Sequence, residues 1–84
     1  MKPWNEKQFK YENLFEQLNE QNVKDTQSRE IGKVLVILIA LCKDTQTLPE
    51  EEKERFWNHI SEDINELDTI VENYIKEEVK DNNN

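Results

Sequence analysis

"GKVLVILIALCKD", residues 32–44, decides how this chain is read. Nine consecutive residues, Val34 to Cys42, carry no charged or strongly polar side chain, in a chain that is 36% charged. Such a run belongs in a membrane, in a core, or against another chain. A spanning helix needs about 20 apolar residues. Here Lys33 and Lys43 close the run after nine, so it is too short for a bilayer. Val34, Val36, Ile37 and Ile39 are β-branched and would suit a buried strand. No other segment offers a strand to pair with, and a lone strand leaves its backbone donors unsatisfied. The run therefore reads as a helix over about residues 28–43. Glu30 near its start and Lys43 near its end suit the helix dipole.

Working outward, two more helices flank it. Trp4, Tyr11, Leu14, Phe15 and Leu18 share one face of a first helix over about residues 4–21, with Pro3 ahead of it. Phe9 falls on the opposite face. A polar hinge at about 22–27 offers Asp25 and Thr26 as caps for the central helix. The third helix opens on "TLPEEEKERFW", residues 47–57. Thr47 and Glu50 have capping-box spacing, Pro49 fits the first turn, and three glutamates sit at the positive end of the dipole. Apolar residues then recur at helical spacing from Phe56 to Val79. Ser61 with Glu62 and Asp63 could restart the helix, so a kink there is one expectation. The sequence predicts an all-α, three-helix domain over residues 1–80 (short, short, long) with an apolar central helix. Residues 81–84 form a fraying tail.

Enclosing the central run is the difficulty. On a wheel, Leu35, Leu38 and Cys42 share one side and Val34, Ile37 and Leu41 another, with Ile39 on a third flank. Two partner helices cannot wrap a third completely. Fully burying one Val, Leu or Ile is worth about 1.5–3 kcal/mol. A 30-residue third helix also overhangs its partners, yet stays apolar through Ile70, Val71, Tyr74 and Ile75. A homodimeric helical bundle would cover both surfaces. A third helix broken near Ser61 and folded back is the alternative. Gly32, Val36 and Ala40, four residues apart, are the expected dimer seam, joined by Ile70 and Tyr74. The competing placement turns that strip toward helix one or three, or leaves it facing water.

Composition narrows the function. The net charge is −8, with seven Lys/Arg against six Asp/Glu in residues 1–43 and four against thirteen in residues 44–84. Phosphates would repel such a chain, as would an anionic membrane surface, so direct nucleic-acid binding and membrane association are not expected. A charged partner would be basic. One cysteine and one histidine exclude a disulfide within the chain and a zinc site. Cys42, inside the apolar run, reads as a buried structural thiol. His59 has Asp63 and Arg55 one turn away, but no nucleophile or oxyanion donor is evident. His59, Glu62, Asp63 and Glu66 could line one face, but in an order unlike a carboxylate-bridged metal site. "DTQTLPEEE" lacks the alternating oxygen ligands and central glycine of a calcium loop. The expectation is no enzyme, no cofactor and no metal, in a reducing cytoplasm, without a secretory signal.

What remains is a protein-binding module that inhibits, sequesters or redirects a partner protein. Trp4, Phe9 and Trp57 are candidate aromatic contacts, with Glu62 and Glu66 as acidic ones. Alanine and glycine are scarce while Asn, Lys, Glu and Ile abound, a bias that AT-rich codons produce. In size, acidity and bias the chain resembles the small regulators of bacteriophages and plasmids. Two alternatives stand beside this: a DNA mimic blocking a DNA-binding protein, and a structural self-assembling helical subunit.

Overall fold

The computed structural model describes residues 2–20 and 26–82, with side chains up to residue 77. The described residues form three helices: α1 (Pro3–Glu20), α2 (Thr26–Thr47) and α3 (Glu50–Asn82). None is long and apolar enough to cross a membrane. The molecule measures 48 × 23 × 19 Å along its principal axes.

Each helix buries one side at alternating three- and four-residue spacing, the pattern of helices packed at shallow angles. Trp4, Tyr11 and Leu18 are buried from α1, with Leu14 packed partly against them. From α2 come Ile31, Leu35, Leu38 and Cys42, and from α3 Trp57, Ile64, Val71, Tyr74 and Ile75. The topology is up-down-up. Gln8 bonds Gln46 at one end while Leu18 lies beside Gly32 further along, so α1 and α2 are antiparallel.

The helix boundaries have local causes. Lys2 supplies the carbonyl that accepts from Asn5 and Glu6, and Pro3 takes the first helical position, where its missing N–H costs nothing. α2 and α3 are joined by Leu48 and Pro49 alone. Pro49 cannot continue α2, and the residue before a proline is pushed out of helical geometry. So short a connection makes α2 and α3 antiparallel neighbours.

Three expectations are corrected. The capping box does not form: Thr47 ends α2, where its hydroxyl donates to the Asp44 carbonyl at 2.8 Å. The amides of Glu52 and Lys53 instead close on the Pro49 carbonyl, and the Glu50 carboxylate pairs with Lys53 at 2.8 Å. Nor does α3 break at Ser61. The apolar register runs unbroken through Ile60, Ile64 and Leu67 with no Gly or Pro, and the Ser61 hydroxyl donates to the Asn58 carbonyl. The folded-back arrangement is therefore absent. The central helix is longer than expected, 22 residues against 33 in α3. Ser28 of α2 reaches Tyr74 of α3, so Val71, Tyr74 and Ile75 are covered within the chain. α3 ends at Asn82; residues 83–84 of the expected tail lie outside the described residues, as does the Asp25 cap.

Candidate interaction surfaces

The outer side of α2 leaves two adjacent large apolar side chains in water. Val36 is 53% and Ile37 56% exposed, and Ala40 is exposed beside them. With Phe15 and Leu18 of α1, Val36 and Ile37 line an open groove of about 680 Å³ whose rim carries Arg29 and Lys33. Gly32 forms the floor rather than the crest. A Cβ placed there would sit 3.7 Å from Leu18 and 3.8 Å from Phe15. Gly32 therefore faces α1, and of the three strip residues only Val36 and Ala40 present themselves outward.

α3 carries a second surface. Ile70 is 58% exposed, on the same helical stripe as the exposed Glu62, Glu66 and Glu77. Tyr74, grouped with Ile70 on sequence grounds, goes the other way. It is buried, and its hydroxyl lies 2.5 Å from that of Ser28. Only about 40° around the helix separates the two outcomes: Ile70 sits on the outer edge of the apolar stripe and Tyr74 inside it.

The aromatic candidates also divide. Trp4 and Trp57 are core residues, packed edge to face with ring centroids 6.1 Å apart, and so are not surface contacts. The Lys2 ammonium lies 5.9 Å from the Trp4 ring centroid. Phe9 is 67% exposed on the outer face of α1.

A polar cluster that sequence reasoning missed ties α1 to α3. Asp68 is buried, and its Oδ2 accepts from the ammonium groups of Lys7 and Lys10. Lys10 also reaches Glu72 at 2.5 Å. Burial works against the Lys10 charge, but its bonds to Glu72 and Asp68 outweigh that and raise its pKa. The Tyr11 hydroxyl and Asp68 Oδ1 are buried without a hydrogen-bond partner. Burial, and then the Asp68 charge, push the Tyr11 phenol well above its ordinary value. The signal was present in two places: Asp68 falls one turn from both Ile64 and Val71, and Lys7 lies between Trp4 and Tyr11 on the inward side of α1. The cluster also bears on mimicry, since Asp68 and Glu72 turn toward lysines instead of extending an outer row of charge.

The remaining chemistry is sparse. Cys42 is fully buried and free, and burial pushes its thiol up to about 11. His59 is exposed beside Leu48 and Phe56, with no hydrogen bond to Asp63 or Arg55. Among the described residues no group of three His, Cys, Asp or Glu side chains could hold a metal ion. Comparison with protein families, curated proteins and solved structures finds no match to this chain.

Proposed function

We propose that this chain is a small, acidic, non-catalytic protein-binding module. It works as a homodimer in the cytoplasm and inhibits, sequesters or redirects a partner protein, in the manner of a bacteriophage-type regulator. One observation carries the reading: a domain whose core is already closed leaves large apolar side chains in water on separate faces. Val36 and Ile37 lie on α2, Ile70 on α3 and Phe9 on α1. Val36 and Ile37, adjacent and rimmed by Arg29 and Lys33, have the form of an association surface. The α2 groove suits self-association. Ile70 among Glu62, Glu66 and Glu77 suits a partner with an apolar contact and a basic surround.

The test is an affinity capture from cell extract at low and high salt, with Phe9→Ser and Ile70→Glu variants beside the parent chain. The expected result is a protein retained at high salt and lost from one of the variants. A DNA-binding protein released at high salt would instead favour mimicry. Capture that ignores both substitutions would remove these surfaces from the proposal.

A further inference from the structure

The exposed face of α2 is self-complementary. Arg29, Lys33, Val36, Ile37, Ala40 and Asp44 are all exposed, and at 100° per residue they fall within about 100° of arc. Along the axis they run basic, apolar, acidic. Positions 29 and 44, 33 and 40, and 36 and 37 are equidistant from a point between Val36 and Ile37. Neither Arg29 nor Asp44 has an ion-pair partner within the described residues.

We infer that the α2 face docks a second copy of this chain, antiparallel, about a two-fold axis passing between Val36 and Ile37. A two-fold interface requires one patch to complement itself, and this stripe does. Each Arg29 meets Asp44 of the second copy, at the C-terminal end of its α2, where the dipole also favours a cation. Lys33 lays its stem across the small Ala40, and the Val36–Ile37 pairs meet at the centre. Phe15, beside the groove, flanks the seam. An acidic helix from another protein would satisfy Arg29 and Lys33 but set its own acid against Asp44. The distribution of charge selects this face over α3: α2 holds three basic and two acidic side chains, whereas α3 carries four against twelve. An α2–α2 contact keeps the two acidic helices apart.

This inference rests on the homodimer reading, and a charge-swap experiment separates the two. Light scattering should give the parent chain twice its 10.1 kDa chain mass. Arg29→Asp alone and Asp44→Arg alone should each lower it to the monomer. Mixing the two variants should restore the dimer, because each acid then faces a basic group on both sides of the axis. Both substitutions lie on exposed positions and suit the dipole of their own helix, so circular dichroism should show full helicity in each. A monomeric parent chain overturns both the dimer and this register. A dimeric parent whose mass ignores the single swaps, or whose variants fail to combine, overturns the register and leaves the dimer standing.

Discussion

Asp68 and its two lysines make an asymmetric prediction. The Asp68 side chain is 7% exposed, whereas those of Lys7 and Lys10 are 25% and 37% exposed. Removing both lysines, as Lys7→Met with Lys10→Met, strands a carboxylate in the core with no counter-charge. Breaking a buried pair in that way costs about 3–5 kcal/mol. Removing the acid, as Asp68→Leu, is milder, because both ammonium groups already touch water and their stems can swing outward. It also abolishes the unpartnered Oδ1. The expected change is within about 1 kcal/mol of the parent, in either direction. For 84 residues the whole stability is about 4–12 kcal/mol, so the double lysine variant should lose a large share of it. Urea titration followed by circular dichroism measures both. With a slope of about 1 kcal/mol per molar, the lysine variant should move its midpoint by about 3–5 M, or start unfolded. A Lys43→Met, Lys76→Met control changes net charge equally at exposed positions and should move the midpoint little. If Asp68→Leu proves more destabilised than the double lysine variant, the account of a stranded buried charge is wrong.

Two further outcomes are expected. Cys42 has a folded pKa of about 11, above its ordinary value near 9, because burial favours the neutral thiol. Its contribution is therefore complete below about pH 9 and lost as pH rises toward 11. The urea midpoint should fall across that window and fall less in Cys42→Ala; equal slopes would show that the thiol does not titrate with unfolding. Gly32→Ala should stabilise, since its new methyl would make ordinary contact with Leu18 and Phe15. Relief of the helical glycine is worth about 0.5–1 kcal/mol, a rise of about 2–8 °C in Tm; a fall would mean that α1 and α2 leave no room for the methyl.

The three helices were legible because each repeats its apolar residues at one period and carries its own stop: Pro3, the polar hinge, and Leu48–Pro49. What misled was local chemistry read without its neighbours. Thr47 and Glu50 have capping-box spacing, but so short a connection leaves Thr47 on the previous helix, bonding backward. Ser61-Glu62-Asp63 resembles a helix start, yet Ile60 and Ile64 on either side hold the register. Periodicity also placed Trp57 on a face without saying that Trp4 would meet it, since edge-to-face packing joins residues far apart in sequence. The least legible part was Asp68. A charge inside an apolar stripe is silent until the lysines of another helix are seen above it. For the surfaces, sequence separated Phe9 from its helix's inward face and marked the Gly32–Val36–Ala40 strip. Only packing showed that Gly32 belongs to α1 and that Ile70 and Tyr74 part company.

The edge-to-face contact of Trp4 and Trp57 has a consequence for watching this protein fold. Both tryptophans of the chain sit in one contact, between the helices most distant in sequence. The ring contact itself forms only when α1 meets α3, so the part of the fluorescence change that it causes reports the arrival of α1, whereas circular dichroism follows all three helices together. A lag between the two signals would time the docking of α1 onto a pre-formed hairpin. Coincident signals would show that the bundle closes in one cooperative step.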